Sequence, residues 1–403
     1  MRLNAGFRRF PSFRDSPPAP DGASQAPKRV EHKDGSGRAS GRELVCVLMA
    51  SHNGVSQIAA TIEGARRQCP VYVVSDGSTD QTVAVARRAG AFVLELRENV
   101  GKPAALARAL SHFRIGDRYE AVAVIDDDTT LAPNFVRECL KRMTAGVAIV
   151  VGRTMSDWRH SVRWNMWVAG RAFSYWKFQL FIRRGQSALN VMNCISGSNS
   201  LYRTSLLRRL TSDQIPYIVD DTYWTLETHR QGLGRIVYAP RATAWVQDPT
   251  TLREWYGQNL RWLWGTMQGI AGHRVGRKLT RFDLAYLGLI LDWVLYVVFW
   301  PVLLVVGFLA AGQDPLRFLS LYVAGYVLWC AIAAIAVRRW RLVVLAPTLI
   351  VVDWIQRVNF LHAFVRTVRQ PRVESCRWDS PARYSTETAS SAGSGTSELA
   401  HAS

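Results

Sequence analysis

The chain has 403 residues, 48% of them hydrophobic, and its 50 Lys and Arg against 31 Asp and Glu give a net charge of +19. That composition excludes a chain disordered throughout and leaves room for one large domain or two smaller ones. The charge points to nucleic acid, an anionic membrane face or an anionic substrate, but with no zinc finger, RNA-recognition signature or basic-region heptad, no nucleic acid is expected as a partner.

Residues 1–43 are rich in Arg, Pro, Ser and Gly and have no apolar stretch, the pattern of a disordered basic tail rather than a signal peptide. A folded domain is expected over 44–250. It opens with the apolar run LVCVLMA from Leu44, broken by SHNG. VYVV then predicts a strand, Asp76-Gly77 a turn, and the residues that follow a helix with Ser78 or Thr79 as its cap and Gly90 as its end. AFVLEL predicts a third strand, Asn99 to Arg114 a helix, and AVAVID a fourth strand. Strands apolar on both faces that alternate with helices predict an α/β fold, a mostly parallel sheet with helices on both faces. Ligands of such sheets bind at the carboxyl ends of strands, where Asn53, Asp76 and Asp126 to Asp128 fall.

The stretch VAVIDDDTT places three like charges side by side at a strand end. If the chain stays extended there, Asp126 and Asp128 project to one side and Asp127 to the other. Two carboxylates on one side can share a divalent cation, and hard oxygen ligands suit Mg²⁺ or Mn²⁺. The bland alternative is an exposed acidic turn. Trp158 to Arg184 mixes Trp, Tyr and Phe with Arg and Lys, which suits a headgroup surface or an acceptor groove; a buried helix with snorkelling arginines is the alternative.

The last third differs. Residues 251–283 read as interfacial, and 284–365 as a membrane region with spans near 293–312 and 318–337, each about 30 Å long as a helix. A third apolar segment, within 342–365, is short and interrupted by Asp353, so it is a span or lies in the interface. RRWR at 338–341 and RTVRQPR at 366–372 put those ends in the cytosol, so the chain is expected to be multi-pass in the plasma membrane with a cytosolic domain before the spans. Two buried helices of a soluble protein are the alternative. Residues 366–403 read as a basic and then a low-complexity tail. Six cysteines, including Cys376, are scattered without a CxxC and read as reduced thiols.

Taken in order, these motifs resemble the family 2 glycosyltransferases, which have a nucleotide-diphospho-sugar transferase fold. They resemble most the membrane-bound processive branch of hyaluronan, chitin, cellulose and poly-N-acetylglucosamine synthases. The matching residues are Asn53 in ASHNG, Asp76 in SDGSTD, the pair Gly101-Lys102, Asp126 to Asp128 as DxD, GSNSLYR at 197–203, VDD at 219–221 and QNLRW at 258–262. The sequence departs where the family has Pro and Glu, here Ala50 and Gly54, and where it has Glu before the catalytic acid, here Asp220.

The resemblance implies an inverting transfer from a UDP-sugar to a growing polysaccharide, a lipid-linked acceptor or another hydroxyl. It implies Asp221 as general base, with Gln258, Arg261 and Trp262 in the catalytic set. Asn53, Asp76, Lys102, Asp126, Gly197 and Asp220 would bind substrate, with Asp76 at the uracil. Asp126 and Asp128 would hold the metal. The bland readings beside these are a solvated helix start for Lys102, an interfacial arginine for Arg261, core packing for Trp262 and a helix cap for the aspartates at 220 and 221. A catalytically silent, nucleotide-binding membrane scaffold is the competing function.

Overall fold

The computed structural model describes residues 43–158, 162–211 and 215–373. The expected tails, apart from Glu43 and residues 366–373, lie outside the described residues, as does Cys376. The other five cysteines are free.

Eight strands form one sheet: β1 (Glu43–Ser51), β2 (Val71–Asp76), β3 (Phe92–Leu96), β4 (Tyr119–Ile125), β5 (Thr130–Leu131), β6 (Val147–Ser156), β7 (Asn199–Arg203) and β8 (Arg235–Val246), in the order β3-β2-β1-β4-β7-β6-β8-β5. The first four pair in parallel, as their unbroken apolar runs predict. The second half is mixed: β7 runs antiparallel to both β4 and β6, while β6 and β8 are parallel. One apolar cluster, with Leu48, Tyr72, Leu106 and Trp224, covers one face. A second, with Met49, Ile58, Phe135 and Ala244, covers the other.

Strand order reverses between β1 and β4, so a crevice opens beyond their carboxyl ends. The loops that follow β1, β2 and β4 carry the first, second and DxD motifs to that crevice.

Gly90 ends the helix Thr82–Arg88 with φ +86°, as expected. The cap differs from expectation. Neither Ser78 nor Thr79 serves; Asp80 Oδ1 accepts from Thr82 N at 2.9 Å. Ser78 is drawn away because its Oγ accepts from Asn53 N at 3.1 Å.

The segment expected to face headgroups or an acceptor buries one face, while Trp164, Leu180 and Phe181 on it stay exposed. Helix Met166–Lys177 continues through a π-helical stretch, Phe178–Arg183, into Arg184–Leu189. Val168, Ala169, Arg171, Ala172 and Trp176 are buried, in a cluster shared with Cys330, Ala333, Leu349 and Val352.

Two helical rods are long and apolar enough to cross a membrane, Arg281–Ala310 and Pro315–Val337. Leu284, Leu291, Val298, Val302, Val306 and Leu309 stand exposed on the first, a continuous apolar surface of the kind that water does not favour. Its π-helical turn, Leu295–Phe299, comes just before Pro301, which cannot donate to the helical ladder. The third apolar segment belongs to helix Ala346–Arg369, which runs along helix Leu252–Gly272. Asn359 Nδ2 donates to Tyr256 O at 2.7 Å, and both Trp264 Nε1 and Gln268 Nε2 donate to Gln370 O, at 3.1 and 3.0 Å. Asp353 joins all three apolar helices, accepting from Tyr296 Oη and Tyr326 Oη at 2.6 Å each and from Arg357.

Candidate active site

β1 ends at Ser51, and the turn after it is held from the β2 side. His52 Nδ1 donates to Asp76 O at 2.8 Å, and Asn53 Oδ1 accepts from Thr79 N at 2.8 Å. Asn53 has φ +54°, a conformation Asn tolerates better than most residues. Its side chain therefore stitches the first motif to the second. The departure at Gly54 has a steric cause. A Cβ there would stand 2.2 Å from Asp127 Oδ2 and 2.4 Å from Ser51 Oγ.

Asp76 is 4% exposed, and its carboxylate accepts from Val100 N at 2.7 Å and Gly101 N at 2.9 Å. It thus fixes the loop that presents Lys102. Gly101, at φ +89°, makes the turn that starts helix Lys102–His112.

The three aspartates after β4 do not stay extended. Thr129 N donates to Asp126 O at 3.2 Å, closing a turn. Asp127 does diverge from its neighbours, but through that turn rather than strand alternation: it is 2% exposed and accepts from Ser51 Oγ. Asp126 Oδ1 takes a bond from Lys102 Nζ at 2.5 Å. Asp128 is half-buried and near enough to the Tyr175 hydroxyl to help raise its pKa, after burial and Asp248.

Lys102 links the two halves of the site. Its Nζ also donates to Gly197 O at 2.9 Å. Burial alone would draw its pKa down, but Asp126, Asp220 and Asp221 more than offset that, so the ammonium is held firmly charged.

Asp220 and Asp221 open helix Asp220–Arg230, where the helix dipole favours negative charge. Val219 stands at the cap and no side chain caps the helix, so the capping alternative does not hold. Burial pushes the Asp221 pKa up to about 6, and Asp220 adds to the rise. Lys102 and Arg261 pull the other way, so Arg261 lies within electrostatic range of this carboxylate. Asp220 Oδ2 is buried and has no hydrogen-bond partner among the described residues.

Helix Leu252–Gly272 brings Gln258, Arg261 and Trp262. It approaches helix Asp220–Arg230 closely because glycines face that helix and the residues before it. A Cβ on Gly265 would stand 2.4 Å from Val219 Cγ2, and one on Gly269 would stand 2.6 Å from Leu226 Cδ1.

The structure therefore brings Lys102, Asp126, Gly197, Asp220, Asp221 and Arg261 together. Asn53, in the loop after β1, and Asp76, at the end of β2, sit behind Lys102. Gln258 and Trp262 are gathered around a residue the motifs do not name, Arg171: Gln258 Oε1 accepts from its Nη2 at 2.8 Å, and its guanidinium lies 4.3 Å from the Trp262 ring centre. The signal for Arg171 is its setting, a lone charge in the apolar run MWVAGRAF. Its carboxylate neighbour Asp248 lies 3.6 Å from Arg171 Nε, and burial pushes the Asp248 pKa up to about 6 against the pull of that arginine.

The sequence is similar to curated glycosyltransferases. It is 27% identical over 213 residues to an N-acetylglucosaminyltransferase of Rhizobium leguminosarum bv. viciae, covering 49% of this chain and 48% of that protein. It is 24% identical over 244 residues to a poly-beta-1,6-N-acetyl-D-glucosamine synthase of Staphylococcus epidermidis, covering 58% and 55%. It is 29% identical over 157 residues to hyaluronan synthase 3 of Xenopus laevis, covering 37% and 28%. The chain spans about half the length of the first and second of these relatives and under a third of the last. In structure it is similar to a mannosyltransferase from Pyrobaculum calidifontis solved in complex with GDP-Man and Mn²⁺, with TM-score 0.51, 18% identity and coverage of 81% of this chain and 87% of that one. Residues 43–265, more than half of the chain, match the family described as glycosyltransferase like family 2. The chain belongs to that family.

Proposed function

We propose that the protein is an inverting glycosyltransferase that moves a sugar from a UDP-sugar to a hydroxyl of a growing polysaccharide or a lipid-linked acceptor. One observation carries this reading: a buried carboxylate, Asp221, with its pKa pushed up to about 6, shares the space at Gly197 with Lys102 and lies in the field of Arg261. An acceptor hydroxyl is a poor nucleophile near neutral pH, and a carboxylate poised there can take its proton. The hydroxyl oxygen then bonds to the anomeric carbon on the face opposite the diphosphate. The bond from that carbon to the phosphate oxygen breaks, and UDP leaves with the electron pair. Lys102 and Arg261 offset the charge that develops on the leaving group. Trp262 offers a flat wall to a pyranose ring.

Among the described residues no group of three or more His, Cys, Asp or Glu is arranged to hold a metal ion. Asp126 and Asp128 are both only half-buried, and Asp126 has Oδ2 free of the bond that Lys102 makes to its Oδ1, so the pair suits a cation that takes most of its ligands from a diphosphate, as Mg²⁺ commonly does. Asp126 and Asp128 would hold Mg²⁺ or Mn²⁺, which supplies further charge neutralisation at the diphosphate when bound. The solved structure of similar fold that holds GDP-Man and Mn²⁺ supports this reading.

The two apolar rods are membrane crossings on this reading. Arg274, Arg277, Lys278 and Arg281 before the first, and Arg338, Arg339 and Arg341 after the second, keep both outer ends and the catalytic domain on the cytosolic side. Helix Ala346–Arg369 runs along helix Leu252–Gly272 and meets both rods through Asp353.

The test is UDP release by the full chain in lipid with Mn²⁺ or Mg²⁺ and labelled UDP-sugars. Transfer that disappears in Asp221→Asn and Asp128→Ala is the expected result. Absence of UDP release with every common sugar nucleotide would leave a silent scaffold instead.

A further inference from the structure

Arg171 sits midway along helix Met166–Lys177 and is 4% exposed. A charge this deep is costly unless every side of it is engaged. Its Nη2 donates to Gln258 Oε1 at 2.8 Å, and its Nη1 to Asn259 Oδ1 at 2.9 Å. Its Nε faces Asp248 Oδ1 at 3.6 Å. Its guanidinium carbon lies 4.3 Å from the centre of the Trp262 ring, a cation–π contact. Three of these four partners belong to one turn and a half of helix Leu252–Gly272, within or beside the motif QNLRW.

We propose that Arg171 is the positioning residue of the acceptor half of the site, setting the direction of the Gln258 amide and the plane of the Trp262 ring. The inference rests on the glycosyltransferase reading. The chemistry is directional. Arg has only donors, so the amide face it holds must be the oxygen. Gln258 is thereby left with its NH₂ as the group offered outward, and no acceptor among the described residues engages that NH₂. Gln258 is half-buried, so a ligand can reach it. The group that binds it is a hydrogen-bond acceptor, a sugar hydroxyl or glycosidic oxygen lying against the Trp262 wall. Asn259 is held in the same way but is buried, and its Nδ2 donates to Trp255 O at 2.8 Å, so it anchors the helix instead.

Lysine cannot replace this arginine. One ammonium lacks the planar fork that reaches two amide oxygens while covering an aromatic face. A residue that only filled space would tolerate Met and Lys alike.

The test uses the full chain in lipid, assayed well below its melting temperature, with Arg171→Lys, Arg171→Met and the double variant Gln258→Ala/Trp262→Ala. Arg171→Met is expected to lower kcat by about thirtyfold or more while leaving KM for the UDP-sugar within roughly threefold, the pattern of a lost transition-state contact. Arg171→Lys should recover less than about a tenth of that loss. Added to the double variant, Arg171→Met should cost less than about threefold more, because residues acting through one another are not additive. Hydrogen–deuterium exchange, which needs no activity, should rise over 252–272 in Arg171→Met and stay unchanged over β1 to β4.

Equal losses in kcat and donor KM, full recovery with lysine, or the same loss in the double variant as in the parent would overturn the proposal. So would unaltered exchange over 252–272. Failure of the parent protein to release UDP is a separate result that counts against the transferase reading, and the exchange measurement still decides the role of Arg171.

Discussion

Lys102 and Asp221 flank the same glycine: a Cβ built on Gly197 would lie 3.5 Å from Lys102 Nζ and 3.4 Å from Asp221 Oδ2. The ammonium and the carboxylate therefore share one small space, and the charge of each sets the behaviour of the other. Lys102→Met should reduce turnover by roughly a hundred- to a thousandfold, the range seen when a fixed charge-stabilising donor is removed. Because Lys102 holds the Asp221 pKa down, the acid limb of the residual activity should also move to higher pH. Steady-state rates from pH 5 to 9 check both effects, and a limb that moves to lower pH would contradict the pairing.

Asp221 itself gives two effects of opposite sign. As a base it must be ionised, so kcat should rise with pH through about 6 and level off above it. Asp221→Asn should cut activity by roughly a hundred- to ten-thousandfold. For stability, the folded-state pKa lies above the ordinary aspartate value of 3.8, so ionisation in the folded protein is unfavourable and stability falls as pH rises from about 4 to 6. Asn removes that cost. The variant should melt higher than the parent at pH 7.5 and close to it at pH 4.5. A variant that is both inactive and less stable at pH 7.5 would argue for a structural role.

The approach of helix Leu252–Gly272 to helix Asp220–Arg230 depends on Gly265, where an added Cβ would meet Val219 Cγ2 at 2.4 Å. Gly265→Val should push Arg261 away from Asp221, lowering turnover while UDP still binds to the β1–β4 half. Gly257 lies in the same helix with nothing within 4 Å of its virtual Cβ. Gly257→Ala should keep activity and stabilise by about 0.5–1 kcal/mol, the usual gain in a helix interior. Isothermal titration with UDP and a melting curve separate the two variants.

Arg230, at the far end of the helix that begins with Asp220, reaches Asp283 at the start of the first apolar rod through bonds of 3.0 and 2.5 Å. Asp283 also accepts from Gly276 N at 2.8 Å and closes a capping box with Thr280. Its side chain has no exposure and that of Arg230 only 13%. Asp283→Ala should cost about 3–5 kcal/mol because it strands a buried guanidinium. Adding Arg230→Met should recover much of that. Thermal unfolding in detergent would show whether the double variant regains stability.

Much of this could be read from the residues. The apolar runs at β1 to β4 predict parallel strands because only strands covered on both faces can be continuously apolar. Asp221 and Lys102 are legible as motif members, but the bond from Lys102 Nζ to Gly197 O that draws them into one space is not, since it joins residues 95 positions apart. The direction of β7 was not legible either, because an apolar strand carries no mark of the sense of its neighbour. Whether the DxD stretch is extended or turned is not legible, since no residue in DDDTT announces the bond from Thr129 N to Asp126 O. Arg171 was visible only as an arginine among apolar residues. What it holds depends on a helix that begins 81 residues later, at Leu252.

Gly54 and Asp127 carry one last consequence, for how relatives of this chain can diverge. The two residues occupy what is nearly a single volume, with Ser51 as the third wall. A side chain can be introduced at position 54 only in a lineage that has already shortened or redirected the one at 127. Variation at the two sites should be correlated across descendants, although 73 residues of chain separate them.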